Sequence, residues 1–214
     1  MESSLTDLDV RVLGSLIEKE ITTPDNYPLT LNALVAACNQ TSNRDPVLTL
    51  DEATVSHSIE DLRKQSLVRA VQRSDSRAMR YGQLLSESMN LDAPATAAMC
   101  VLMLRGPQTT GEIKTRSGRL FEFADLMHVE TTLESLMARQ PEPLVVRLPR
   151  RPGQKEARYA HLLSGEPAES SEVVEPATAP QPARVDELAQ EIEALRAEVA
   201  DLRAQFEEFK RSFG

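Results

Sequence analysis

The side chains with the clearest potential chemistry are arginines and lysines in two short segments of an acidic chain. Residues 67–84 carry four arginines against Asp75, and residues 144–162 carry four arginines and Lys155 against Glu156. The formal net charge of the whole chain is −9. Guanidinium and ammonium groups bind nucleic-acid phosphates and release their counterions. The pattern predicts phosphate contacts, with ordinary cross-strand surface charge as the alternative.

No other group of side chains has the spacing of a catalytic or metal site. His57, His128 and His161 stand alone, without a cysteine or second histidine at metal-ligand spacing. Neither a glycine-rich phosphate loop nor a Gly-x-Ser-x-Gly elbow occurs in the sequence. We therefore expect no enzymatic activity, no metal and no cofactor.

The negative charge is concentrated toward the C-terminus. Residues 1–165 contain 19 Lys and Arg against 21 Asp and Glu, whereas residues 166–214 contain 5 against 12. A nucleic-acid partner for the first part is therefore compatible with the low net charge. The chain has no recognisable signal peptide, and its longest apolar run, 97–104, is too short to span a membrane. We expect a cytoplasmic protein, with Cys38 and Cys100 as buried free thiols.

The basic segments belong to an internal repeat. The sequence Val68-Arg69, ten residues and Arg80-Tyr81 is matched by Val146-Arg147, ten residues and Arg158-Tyr159. Upstream of each lies an apolar helical pattern, Val55 to Leu62 in one copy and Val129 to Leu136 in the other. A helix followed by a two-stranded hairpin, present twice, indicates a duplicated domain.

In the first copy, apolar periodicity predicts helices at 5–20 and 29–40, and a third helix after Leu48. Capping signals are Thr6 with Asp9, Thr30, and Thr49 with Glu52. Strands are predicted at 67–71 and 79–84. Three helices and a hairpin form a winged helix, a variant of the helix-turn-helix.

The second copy repeats this order. Its first helix is predicted at 95–104, its second follows a cap formed by Thr109 and Glu112, and its third is predicted at 123–139. Strands are predicted at 144–148 and 157–162. The expected fold is mainly α with small β-hairpins (α+β), made of two tandem winged-helix domains followed by a coiled-coil helix. The two winged-helix domains are predicted at 1–88 and 89–163. A disordered linker is predicted at 164–184 and the coiled-coil helix at 185–213.

The C-terminal heptads predict self-association. Apolar residues follow a 3-4 spacing, and β-branched residues alternate with leucine in a way that favours a parallel homodimer. Packing of this helix on the body is the alternative. The candidate dimerisation residues are Val185, Leu188, Ile192, Leu195, Val199, Leu202, Phe206 and Phe209.

The first copy contains the segments Thr22-Thr23-Pro24, Tyr27-Pro28-Leu29 and Asn43-Arg44-Asp45-Pro46. The second contains Leu104-Arg105-Gly106 and Val145-Val146-Arg147-Leu148. With these motifs the chain resembles the YceH-like family of uncharacterised bacterial proteins over nearly its whole length. The resemblance implies a tandem winged-helix fold in a bacterial cytoplasmic protein, and it implies no activity and no catalytic residues.

Two functions of different classes fit these patterns. The first is a transcription-regulator-like protein that binds double-stranded DNA mainly through the hairpins, and we favour it because of the basic hairpins. The second is a protein-interaction scaffold, as in the accessory subunits of bacterial condensins, which would suit the acidic third helices. The candidate nucleic-acid-binding residues are Arg73, Arg77, Arg150, Arg151, Lys155, Lys114, Arg116, Arg119, Asn43 and Arg44.

Overall fold

The computed structural model describes residues 5–72, 78–150 and 156–166. This part of the chain is mainly α, with seven α-helices and two small antiparallel sheets. It lies within the first of two units into which the chain divides, Met1–Ser171 and Glu172–Gly214. Several predictions lie outside the described residues: those for Arg73, Arg77, Arg151 and Lys155, most of the linker, and the whole coiled coil.

The first half contains three main helices followed by a hairpin, in the predicted order. A short helix follows the hairpin, and a single 3-10 turn, Pro24–Asn26, separates the first helix from the second. The elements are α1 Asp7–Thr22, β1 Leu29–Thr30, α2 Leu31–Cys38, α3 Glu52–Lys64, β2 Val68–Gln72, β3 Met79–Gln83 and α4 Leu85–Ser88.

These helices begin at capping residues, and one of the predicted caps is wrong. The Thr6 and Asp9 capping box of α1 is confirmed, as is Thr30 at the N-cap of α2. Helix α3 is capped by Asp51 and not by Thr49. The Asp51 carboxylate accepts a hydrogen bond from the Thr54 amide at 2.8 Å, which fixes the helix start two residues later than the threonine.

The second predicted helix was two residues too long at its start. Leu29 and Thr30 form strand β1, which pairs antiparallel with β3 through Leu29 opposite Tyr81 and Thr30 opposite Arg80. The resulting three-stranded sheet has the order β1-β3-β2. The hairpin prediction is confirmed to within one residue at the outer ends of its strands.

The second half repeats the arrangement with shorter strands. Helix α5 begins after Asp92, whose carboxylate accepts from the Ala95 amide, and it ends at Gly106 as predicted. Helix α7 begins after Asp125, three residues later than predicted, because that carboxylate caps the His128 amide. The elements are α5 Ala93–Arg105, α6 Thr110–Ser117, α7 Leu126–Met137, β4 Val145–Arg147 and β5 Tyr159–His161.

Hydrogen bonds show how the two copies correspond. The Leu67 carbonyl accepts from the Leu84 amide at 2.7 Å, and the Leu144 carbonyl accepts from the Leu162 amide at 2.9 Å. Leu67 is thus equivalent to Leu144. The first strands of the two hairpins therefore align one residue away from the sequence match, which paired Val68-Arg69 with Val146-Arg147. The Arg80 match with Arg158 is kept, since these residues donate to the carbonyls of Pro28 and Pro107 respectively.

One hydrophobic core is shared by both halves. Helices α1 and α5 pack against each other, and almost every α5 side chain is buried. Their closest approach is at Gly14, where a Cβ would lie 2.9 Å from Leu104 Cδ2. Cys38 and Cys100 are both buried free thiols in this core, as predicted. Residues that precede both hairpins, such as Leu62 and Leu136, belong to this one core.

Candidate nucleic-acid interface

A basic groove lies between the end of α3 and strand β2. Its volume is about 600 Å³, and its polar lining includes Arg63, Lys64 and Arg69 together with one carboxylate, Glu60. Lys64 is paired with Asp61 at 2.7 Å. Among the described residues, neither Arg63 nor Arg69 lies within ion-pair distance of a carboxylate. We call this surface the α3–β2 groove; it lies beside the first half of strand β2.

The two repeated arginines of the hairpins have structural roles. Arg80 Nη1 donates to the Pro28 carbonyl at 2.9 Å, and Arg158 Nη1 donates to the Pro107 carbonyl at 2.8 Å. Arg158 also lies 3.4 Å from Glu112. In the second hairpin, Arg147 and the predicted Arg150 are exposed. Among the described arginines of this hairpin, Arg147 and Arg150 are therefore the ones that face solvent.

Arg44, predicted as a candidate for DNA contact, is buried inside the first half. Its Nη2 lies 2.7 Å from Glu18 Oε2, and the guanidinium also donates to the carbonyls of Ala37 and Asn43. Burial alone would raise the pKa of Glu18, but the hydrogen bond and charge of Arg44 lower it. With its donors directed inward, Arg44 cannot reach a base edge, so the prediction is corrected.

Asn43 is also used within the protein. Its φ of 59° places it in the left-handed region that asparagine tolerates. Its Oδ1 accepts a hydrogen bond from Arg105 Nη2 of helix α5. Because the side chain is held by this contact, Asn43 connects the two halves and does not project as an isolated base-reading group.

Three arginines and Asn43 line a small cleft between the halves. Arg105 ends α5, Arg116 lies near the end of α6, and Arg119 follows that helix; all three line the cleft with Glu18. The Arg119 side chain is 68 % exposed, and its Nη2 lies 3.9 Å from Glu18 Oε1. We call this site the inter-half cleft. Lys114, predicted with Arg116 and Arg119, instead donates to the Ala124 carbonyl at 3.2 Å.

Sequence analysis missed Arg63, Arg69 and Arg105 as members of these surfaces. Arg63 lies in a third helix that the sequence shows as acidic, and Arg69 is one of the four arginines of residues 67–84. Arg105 ends an apolar helix and carries no local basic signal. It joins Arg116 only because α5 and α6 pack together. The available sequence signal for Arg105 was an arginine at a helix end before Gly-Pro, but that pattern is common.

The exposed faces of α3 and α7 carry mainly negative charge. In α3, the exposed Glu52 and Glu60 oppose Arg63 and Lys64, with Asp51 exposed just before the helix. In α7, Glu134 is exposed, and so are two apolar side chains in the first turn, Leu126 at 48 % and Met127 at 67 %. Carboxylates at these positions would repel DNA phosphates, so these helices do not favour entry into the major groove.

The described residues contain no group of three or more His, Cys, Asp or Glu that could hold a metal ion. None of their helices is both long enough and apolar enough to cross a membrane.

Comparison with known proteins places the chain in a family. Residues 5–154 match the family model described as "Protein of unknown function, DUF480". The chain belongs to the DUF480 family. This agrees with the family resemblance found in the sequence.

Relatives of this DUF480 protein carry the name "UPF0502 protein". One from Geotalea uraniireducens is 47 % identical over 222 residues and covers both chains completely. One from Opitutus terrae is 49 % identical over 193 residues, covering 90 % of this chain and 83 % of the relative. One from Geobacter sulfurreducens is 50 % identical over 205 residues, covering 94 % and 91 % respectively. Their names state no activity.

Proposed function

We propose that this protein binds double-stranded DNA through two tandem winged helices, without catalysis, as a transcription-regulator-like protein of the bacterial cytoplasm. The observation that carries the proposal is the α3–β2 groove. There, two arginines without carboxylate partners among the described residues lie beside a hairpin in an acidic protein. Guanidinium groups without a carboxylate partner can bind phosphates and displace counterions.

The repeat of element order supports the winged-helix assignment. Each half has three main helices followed by an antiparallel hairpin, and Thr30 and Thr109 cap equivalent second helices. A short β contact precedes the second helix in both halves, through Leu29 with Tyr81 and Gln108 with Tyr159. This order of helices, strand and hairpin is the arrangement expected of a winged helix.

In this proposal the phosphates are bound mainly by the hairpins, because the acidic α3 and α7 disfavour direct base reading. The arginines at 73, 77, 150 and 151 would extend the basic surfaces to the hairpin tips. The C-terminal heptads would join two copies into a parallel dimer and so present paired basic surfaces to one duplex. Weak sequence preference follows, since phosphate contacts carry no sequence information directly.

The test is to compare the salt dependence of DNA binding in two double variants. Arg63→Ala with Arg69→Ala removes the unpaired charges of the α3–β2 groove. Lys210→Ala with Arg211→Ala removes the same charge from the C-terminus. Each phosphate contact contributes about 0.9 to the slope of log K against log salt concentration. We expect a shallower slope for the groove variant only. Equal slopes in both variants would show that the groove does not contact the DNA phosphates.

A protein-interaction scaffold is the second candidate, and the exposed Leu126 and Met127 favour it. An apolar pair on an acidic helix fits a partner with apolar and basic side chains. The same titration discriminates the two functions, because a scaffold would not bind a random duplex at low salt.

A further inference from the structure

We propose that the inter-half cleft is a binding site for a single oxyanion of the phosphate class, held by Arg105, Arg116 and Arg119. The site is distinct from the α3–β2 groove, and the proposal does not depend on DNA binding by that groove. It assigns a ligand to the residues that connect the two halves.

The cleft carries an excess of positive charge. Three arginines line it, Arg105, Arg116 and Arg119, together with one carboxylate, that of Glu18. Glu18 is already bound by Arg44 and Lys19, and Glu112 is shared by Arg116 and Arg158 at 3.4 Å each.

Arg105 carries a half-buried charge at the cleft. Its guanidinium donates to the Asn43 side chain, and among the described residues no carboxylate lies within ion-pair distance of it. Burial lowers the pKa of Arg105, and repulsion from Arg116 lowers it further. A half-buried charge beside like charges is costly unless an anion accompanies it. A bound oxyanion would remove that cost.

The shape of the cleft determines the size of the ligand. Its enclosed free space is about 20 Å³, enough for about one water molecule or one ligand oxygen. The floor is apolar and buried, formed by Cys100, Val101 and Leu104. A phosphate could therefore insert one oxygen while its remaining oxygens stay at the mouth beside Arg116 and Arg119. Planar guanidinium groups suit this contact because they donate paired hydrogen bonds to phosphate.

Two sources could supply the phosphate, a nucleic-acid backbone or a small phosphorylated compound.

The two halves contribute different residues, with Asn43 from the first and the arginines from the second. Among these arginines, Arg105 links the ligand site to the first half, because it donates to the Asn43 side chain.

The experiment is isothermal titration of the full-length protein with inorganic phosphate, in chloride buffer of matched ionic strength. The variant is Arg116→Gln with Arg119→Gln, both partly exposed and therefore compatible with folding. The control is Arg184→Gln with Arg211→Gln, which makes the same charge change toward the C-terminus. We expect saturable binding that weakens at least about tenfold in the cleft variant and persists in the control.

No saturable binding by the unmodified protein, or equal weakening in both variants, would overturn the proposal. Titration of the cleft variant with a labelled duplex separates the sources. Weaker duplex binding, together with lost phosphate binding, supports a backbone phosphate in the cleft. Unchanged duplex binding with lost phosphate binding supports a small phosphorylated compound. A protein that binds phosphate but no duplex would contradict only the proposed DNA function.

Discussion

Arg44 and Glu18 form a buried ion pair, with 2.7 Å between Arg44 Nη2 and Glu18 Oε2. The two side chains are 0 % and 5 % exposed. Arg44 also donates to the Ala37 carbonyl, so the pair ties α1 to the end of α2 and the loop that follows it. The same carboxylate borders the inter-half cleft. This pair therefore connects the interior of the first half with the proposed anion site.

Loss of Arg44 should destabilise the protein strongly. Arg44→Ala leaves Glu18 buried without its main partner, and removal of one member of a buried pair costs about 3–5 kcal/mol. Urea denaturation would measure the loss in the free energy of unfolding. The control is Arg119→Ala, which removes an exposed neighbour of the same carboxylate and should change that free energy little. Similar losses in both variants would show that the buried pair has no special role.

Gly14 should be required for the packing of α1 against α5. In Gly14→Ala the new Cβ would lie 2.9 Å from Leu104 Cδ2 and 3.2 Å from Met103 Cβ. We expect a loss of about 1–3 kcal/mol from overpacking, although alanine has the higher helix propensity.

Gly111→Ala in α6 is the matched control for this prediction. Its nearest neighbour, Thr109 Oγ1, would be 4.0 Å away, so the substitution should be neutral or stabilise by up to about 1 kcal/mol. Thermal unfolding of both variants measures the contrast. A Gly14 variant as stable as the Gly111 variant would contradict the close helix contact.

His161 should make the protein sensitive to mild acid. Burial lowers the pKa of His161 to about 4, so the unfolded chain binds the proton more readily below the usual value near 6.5. The resulting contribution to the free energy of unfolding is fully present above pH 6.5 and is lost as the pH falls toward 4, by about 2 kcal/mol between pH 6.5 and 5.

The measurement is the free energy of unfolding at pH 7.5 and pH 5 for three proteins. His161→Gln should show a smaller difference between the two pH values than the unmodified protein. The exposed His57→Gln variant should keep the full difference. Identical pH dependence in all three would exclude His161 as the origin of the acid sensitivity.

The C-terminal heptads should determine the oligomeric state. Truncation after Glu166 keeps the hydrogen bond from the Leu5 amide to the Leu163 carbonyl and removes residues 185–213. We expect a folded monomer by light scattering and a dimer for the full-length protein. A truncated protein that remains dimeric would place the interface in the body.

Sequence reasoning succeeded where structure depends on near neighbours. The caps at Thr6, Thr30 and Thr109 involve partners three residues away, and the hairpins follow alternating patterns over a few residues. The cap of α3 was ambiguous because Thr49 and Asp51 are both suitable, and the contact made by Asp51 decides the helix start. Local chemistry thus gave the elements but not every boundary.

The candidate site was predicted less well because its contacts are distant in sequence. Arg44 is paired with Glu18, 26 residues earlier, and Asn43 with Arg105, 62 residues later. An arginine in a polar loop looks exposed until the helix that covers it is known. Strand β1 was missed for the same reason, since its pairing with Arg80 and Tyr81 has no local signal.

Binding to a random duplex tests the central claim most directly. Fluorescence anisotropy of a labelled duplex, titrated with full-length protein at about 50 and 200 mM salt, covers the range in which phosphate contacts lose affinity. The account predicts binding at the lower salt that falls steeply at the higher one. No binding at the lower salt, even at tens of micromolar protein, would contradict DNA binding and favour the scaffold.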